Sequence, residues 1–312
     1  MLLYLASRLG RALITVVLII TFAFIILRLT GDPAVIILGP DAPPEAYAVF
    51  RHSWGLDQPL PLQYLSYFHA ILQGDLGRSM RDGRPALELV MQAVPLTLAL
   101  TVPALLFNLI IGLLAGIIAA LNHNSWIDRA IMTLSVAGFT VPSFVMGLVL
   151  ALIFAVKWRL LPSGGSDSWQ SAILPIVTLG LIGAAVIARF TRSAMLEVLG
   201  QPYIRTASAK GVPWHKVVIN HALPNAAIPT LTIIGFMLGS LVAGAVVVES
   251  IFSWPGIGRL LVGSVASRDL AVVQVILILI GFAMVFANLM VDLMYGLLDP
   301  RLRVSQRVRV KS

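Results

Sequence analysis

The side chains that usually carry proton transfer and metal binding are few in this chain and poorly spaced for either task. Its five histidines, His52, His69, His123, His215 and His221, lie in or beside polar connections, and none belongs to an HExxH pair. There are no cysteines, so disulfides, thiolate metal sites and thiol nucleophiles are excluded together. A serine nucleophile would need a base within hydrogen-bonding reach, and the apolar segments offer none. The sequence also lacks a GxxxxGK[ST] phosphate loop, so the polypeptide is not itself a P-loop ATPase. The residues thus describe a chain without catalytic groups, without a metal site and with no cofactor of its own.

What the sequence has in place of catalytic groups is apolar length. Of 312 residues, 58% are hydrophobic and 12% are charged, about half the charged share of a soluble domain. A helix needs about 20 residues to cross the hydrocarbon of a bilayer. Six segments qualify, near 9–29, 94–121, 130–156, 172–196, 225–248 and 272–297. The expected fold is an all-α polytopic membrane protein of six spans, with lipid as its solvent. The first stretch follows Arg8, lacks a small-residue cleavage site and exceeds a signal core in length, so it is read as a retained helix.

Charge sets the expected orientation. Thirteen lysines and arginines fall in the N-terminus, the second and fourth connections and the tail; the opposite side holds nine basic residues against ten acidic ones. By the positive-inside rule both termini are cytoplasmic. Residues 30–93 then form a long extracytoplasmic loop, 197–224 a cytoplasmic loop and 298–312 a basic cytoplasmic tail. The net charge of +8 is explained by topology and by anionic lipid, without nucleic acid.

Ion-coupled carriers place ionisable groups near the bilayer midplane. None occurs in 94–121, 131–156, 172–188, 225–248 or 270–291, so the energy for transport is expected from outside the spans. Gly112 with Gly116, and Gly235, Gly239 and Ala243, are spaced for close helix contact. Asn288 and Asp292 share a helix face, as a gate or as an interhelical bond. Pro103 and Pro142 are expected to bend their spans.

The most informative segment is Gln201–Pro229. Tyr203–Lys210 suits a short helix, Gly211 a left-handed stop, and Pro213 the first turn of a second helix, with Pro224 marking the next span. Its basic residues Arg205, Lys210, His215 and Lys216 fit either a lipid-facing amphipathic loop or a protein-docking surface. The segment resembles the cytoplasmic loop of ABC-importer permeases, Glu-Ala-Ala, three residues, Gly, nine residues, Ile, one residue, Leu-Pro. Ala207, Gly211, Leu223 and Pro224 match, while Arg205, Thr206 and His221 stand at the glutamate, first-alanine and isoleucine positions. RTASAKG followed by NHALPNA is similar to the dipeptide, oligopeptide and nickel branch, of the dipeptide permease B type.

Further likeness lies in Gly31-Asp32-Pro33, Trp54–Leu65, Gly74–Ser79, Val246–Leu261 and Asn288–Arg303, with Ala271 replacing a more usual proline. The resemblance implies a type I ABC-importer permease subunit in a prokaryotic inner membrane. It would pair with a second homologous permease, two cytoplasmic ATPases that bind ATP and magnesium, and an extracytoplasmic solute-binding protein. It also implies that Arg205, Thr206, Ala207, Ser208, Ala209, Lys210, Gly211, Val212, Pro213, Leu223 and Pro224 form the ATPase-docking coupling loop. The implied cargo is a di- or oligopeptide, with nickel or a metal chelate, glutathione or another small solute as alternatives. A channel or membrane scaffold is the reading of another class. In the outer loop, Glu249 fits either a substrate contact or a local cap, and the Gly74–Gly77 run either a partner contact or tight turns.

Overall fold

The computed structural model describes residues 2–29 and 31–298. Among these the secondary structure is helical apart from one isolated bridge between Arg78 and Pro85. The chain divides into two compact units, one made of the residues up to Thr97 with Pro255–Val285, the other centred on Leu98–Trp254.

In the first unit, α1 (Leu2–Leu29) packs on α4 (Leu60–Leu72) through aromatic residues. Phe24 meets Tyr64 edge-on at 5.4 Å between ring centroids and stacks on Tyr67 at 6.2 Å, a geometry that adds to plain area burial. The residues after α1 form helices because prolines start them: α2 (Pro33–Leu38), capped by Asp32, whose Oδ1 accepts the Ala34 N–H, then α3 (Pro44–Ser53) and α4. The first turns of α5 (Ala86–Leu121) bury Ala86 and Val90 against Val272, Val275 and Ile276 of α13 (Leu270–Leu298), with Ile257 and Leu260 of α12 (Ile257–Ala266) beside them.

The second unit is organised around α8 (Ile173–Leu199), which packs on α6 (Trp126–Thr140), α7 (Ser143–Leu150) and α11 (Leu223–Ile251). Gly112 and Gly116 of α5 let the two backbones approach. A Cβ on Gly112 would lie 2.9 Å from Ala184 O, and one on Gly116 would lie 2.6 Å from Ala188 O. Asn108, fully buried on α5, stands over Gly183. Oriented with its amide nitrogen toward Ala104 O and Gly180 O, it donates to both and ties α5 to α8.

Two prolines expected to bend their helices behave differently. Pro103 sits inside α5, which continues for 36 residues through it. At Pro142 the helix breaks: α6 and the segment Ser143–Lys157 meet at 106°, so residues 130–156 are not one straight span. Val141 takes an extended conformation, φ −74 and ψ 122, as a residue before proline prefers. The second arm ends in a π-helical turn, Ala151–Lys157.

Among the described residues, Ala86–Leu121 and Trp169–Leu199 are long and apolar enough to cross a membrane, and the bent pair provides a third candidate. The side chains of Gly235, Gly239, Ala243, Asn288 and Asp292, and the basic tail from residue 299, lie outside the described part.

Candidate functional site: the loop between α8 and α11

The segment that the sequence marks as a docking loop starts where α8 ends. Gly200 closes α8 with its N–H on Leu196 O, Gln201 turns to extended backbone, and Pro202 opens α9 (Pro202–Ala209). A proline at the first helical position loses no bond, because that N–H has no partner in a helix. The far end of α9 is a Schellman closure. Gly211 has φ +78 and donates to Ser208 O at 3.0 Å, while Val212 donates to Ala207 O at 3.3 Å. These two bonds satisfy carbonyls the helix would otherwise leave open, and the left-handed residue that makes them possible favours glycine.

Beyond the turn, Pro213 caps α10 (Trp214–Val217). The sequence reading separates this helix from the next span at Pro224; the backbone does not. α10 passes through a π-helical turn, Val218–Ala222, directly into α11. Pro224 has no N–H, and its ring would crowd the carbonyl four residues back, at Asn220. A widened turn immediately before it removes that clash while the chain stays helical.

The loop is seated by a small apolar cluster. Ile204 of α9, Val217, Val218 and Ala222 pack with Met195 of α8, Ala120 of α5 and Ala226 of α11, and Ala207, Val212 and Leu223 lean on the same cluster. The eleven residues marked by sequence therefore separate into two groups. Ala207, Val212 and Leu223 belong to the seat; Arg205, Thr206, Ser208, Ala209, Lys210, Gly211, Pro213 and Pro224 are exposed. The matched alanine is thus a small residue on the packed face of α9, and the matched glycine is the turn. Sequence reasoning overlooked the anchors Ile204 and Val217, which are at most 2% exposed. An apolar residue seven positions, about two helical turns, before a glycine stop was the available signal for Ile204. It also overlooked Tyr203 and Trp214, large rings 42% and 54% exposed on either side of the turn. Together with Arg205, Lys210, His215 and Lys216, all exposed or nearly so, they give the loop a surface that is both aromatic and basic.

An ion-pair clamp fixes α8 before it enters the loop. Arg192 donates to Asp128 through Nε at 2.6 Å and Nη2 at 2.7 Å, a two-point pairing, and Nη2 lies 3.2 Å from His123 Nδ1. Asp128 is 3% exposed at the start of α6, where it also accepts the Asn124 N–H at 3.0 Å. Its own N–H bonds Ser125 Oγ, closing a capping pair. The Arg192 hydrogen bonds, and to a lesser degree the Asn124 N–H, outweigh burial and hold the Asp128 carboxyl down at about 2. Desolvation alone would have raised it.

The Gly74–Gly77 run and Glu249 both stand among local contacts. Asp269 accepts a bond from Ser79 Oγ and one from the Met80 N–H at 3.3 Å, and Gly77, at φ +81, makes the turn that precedes them. Glu249 is fully buried at the end of α11, and its carbonyl accepts the Trp254 N–H at 2.8 Å. Among the described residues no cluster of His, Asp and Glu is placed to hold a metal ion.

A family model described as a binding-protein-dependent transport system inner membrane component matches residues 112–304, and a companion model for the N-terminal part of such components matches residues 1–101. The chain is 43% identical over 304 residues to the glutathione transport system permease protein GsiC of Salmonella typhi, covering 97% of this chain and 99% of the relative. The protein of the same name from Escherichia coli (strain K12) is 43% identical over 288 residues, 92% of this chain and 94% of the relative. Among solved structures, the inward-facing MetNI methionine ABC transporter aligns at TM-score 0.58 and 19% identity, over 69% of this chain and 98% of the other. An amino acid ABC transporter with histidines aligns at TM-score 0.52 and 19% identity, over 66% and 92%. At that identity the two structures share a fold with this chain.

Proposed function

The chain belongs to the family of binding-protein-dependent transport system inner membrane components, and from that premise we propose that its exposed loop around Gly211 is where ATP-driven motion enters. As a permease subunit of an ABC importer, the chain is the moving wall of a pathway and performs no chemistry. In this reading two cytoplasmic ATPases bind ATP and magnesium, a second homologous permease completes the pathway, and an extracytoplasmic binding protein delivers cargo. Six spans with both termini in the cytoplasm of a prokaryotic cell account for the charge asymmetry along the chain.

The observation that carries this proposal is the pairing of an anchored seat with an exposed turn. Ile204 and Val217 bury the loop's root while Arg205, Lys210, Gly211 and Trp214 face outward. A force applied to the turn is thereby passed to α8 and α11 rather than absorbed by a loose loop. The clamp of Arg192 on Asp128 extends that stiffness to α6.

The chain has no cysteines, which makes the test clean. A single cysteine placed by Lys210→Cys and carrying a photoreactive linker should capture an ATPase subunit in membranes of the source cell, and Arg81→Cys should not. Equal capture at both positions, or none at residue 210 in a complex that still transports, would overturn the docking assignment.

For cargo, the named relatives transport glutathione, a small peptide, and a peptide-type solute is the proposed class here. Nickel or a metal chelate delivered by the binding protein is the second reading. Mass spectrometry of the ligand carried by the cognate binding protein distinguishes them. A channel is distinguished by current through a reconstituted bilayer without ATP.

A further inference from the structure

From Ile173 to Ala188 no residue of α8 is exposed, and beyond that point the helix opens on one face. Arg189, Ser193 and Glu197 are exposed and, at four-residue spacing, lie in one line along the helix. Ala188, Thr191, Ala194 and Met195 around them stay buried. The line leads toward the loop, and Arg189 is its inner end, about 15 Å of helical rise from Leu199.

Arg189 is held differently from Arg192, which pairs with Asp128 at 2.6 Å. Among the described residues no carboxylate pairs with Arg189, and none of its N–H groups makes a hydrogen bond. What holds it is a ring: its Cζ lies over Phe139 of α6, 5.6 Å from the centroid. Phe139 stands about 16 Å of helical rise beyond Asp128 along α6, so the guanidinium is level with the far part of α6 and not with the clamp. Nearby, Thr133, Val136 and Thr140 of α6 are exposed at the spacing of one face, so the neighbouring wall is partly polar.

Trp169–Leu199 is long and apolar enough to cross a membrane. A guanidinium is a permanent cation, and at such depth a cation in contact with hydrocarbon is costly, so residues of this kind face a bundle interior or an aqueous cavity. Stacking on a ring attracts the charge without neutralising it. The N–H donors stay available, and they match a carboxylate two at a time.

We propose that the open face of α8 lines the transport pathway and that Arg189, held by Phe139, is the point in it that receives a carboxylate of the cargo. This rests on the reading of the chain as the wall of a pathway for a peptide-type solute. A lone cation suits that role, because passage requires binding strong enough to admit a solute and weak enough to release it.

The test uses the complete transporter in lipid nanodiscs without nucleotide, with Ser193→Cys in this chain and mass spectrometry of this chain as the readout. The anionic reagent 2-sulfonatoethyl methanethiosulfonate should modify the introduced thiol. Its rate relative to the cationic trimethylammonium-ethyl reagent should fall about fivefold when Arg189→Gln is added. Glycylglycine, which carries a carboxylate, should slow the modification severalfold, whereas glycylglycine amide should not, and Arg189→Gln should remove that difference. No modification by either reagent would mean that another subunit or lipid covers this face, and would overturn the proposal. Equal protection by the two peptides would overturn it as well. Size-exclusion profiles check that the variant complexes assemble.

Transport is measured separately. Uptake of radiolabelled glutathione by the complete transporter with its binding protein should fall about tenfold in Arg189→Gln and return in part in Arg189→Lys, with ATP hydrolysis retained in both. Unchanged uptake in Arg189→Gln would overturn the role of Arg189. Absence of glutathione uptake by the wild type, with selective protection by glycylglycine intact, would count against the cargo class proposed above and leave the site standing.

Discussion

Gly116 and Gly211 are both positions where the chain needs glycine, and the reasons are opposite. At Gly116 the backbone is ordinary helix, but an added Cβ would lie 2.6 Å from Ala188 O and from Thr191 Cβ. At Gly211 an added Cβ would meet nothing within 4 Å, yet φ is +78. The first glycine serves close approach of two helices inside one unit. The second serves a turn that faces open space, and space kept free at the end of a rigid lever is what a docking partner would occupy.

The contrast predicts a graded series. Gly116→Val should be the most damaging, because the obstacle is backbone and cannot swing aside; overpacking of this kind costs about 3 kcal/mol. It should appear as a marked fall in the thermal unfolding midpoint of the purified chain. An unchanged midpoint would mean that α5 and α8 are not held at this separation.

Next comes the clamp that steadies α8 above the loop. Arg192→Ala leaves Asp128, 3% exposed, without its two-point partner. We expect about 2 kcal/mol of destabilisation, below the range for a fully buried pair because Arg192 is partly exposed. The pH dependence has a definite sign. The carboxyl sits at about 2 in the folded chain and near 4 when unfolded, so its stabilisation is complete above about pH 4 and fades as pH falls from there toward 2. The difference in unfolding midpoint between the wild type and Asp128→Asn should stay constant from pH 5 to 8 and shrink below about 4. A difference that varied between pH 6 and 8 would implicate another group.

The smallest effect on stability belongs to Gly211→Ala. A left-handed non-glycine residue costs about 1 kcal/mol, and no clash adds to it. A midpoint shift as large as that of Gly116→Val would erase the distinction between the two glycines.

Part of this could be seen in the sequence and part could not. The break in the loop at Gly211 and the close packing at Gly112 and Gly116 were legible because each rests on local spacing and on what a missing side chain permits. The sharp break at Pro142 beside an unbroken helix at Pro103 was not legible, since tertiary packing decides whether a helix absorbs a proline. The π-helical passage into Pro224 was equally hidden, because a run of helix-compatible residues looks the same with one wider turn. Asp128 and Arg192 are separated by 64 positions, and only the folded chain brings them together. The seat residues Ile204 and Val217 read as ordinary apolar residues until the cluster around Met195 gives them a purpose. The likeness of Ala207 and Gly211 to a family loop marked this segment without separating the buried half from the exposed half.

The central claim is that the open space at Gly211 is occupied by an ATPase in the working transporter. Its most direct test is uptake of the binding protein's cargo by Gly211→Ala and Gly211→Glu, compared at matched levels in the membrane. Both variants carry the same backbone strain, and the Cβ that each adds meets nothing within 4 Å. If the turn docks, Gly211→Ala should retain more than half of wild-type uptake while Gly211→Glu loses at least tenfold, with ATP hydrolysis no longer tied to transport. Equal uptake by the two variants would contradict the account.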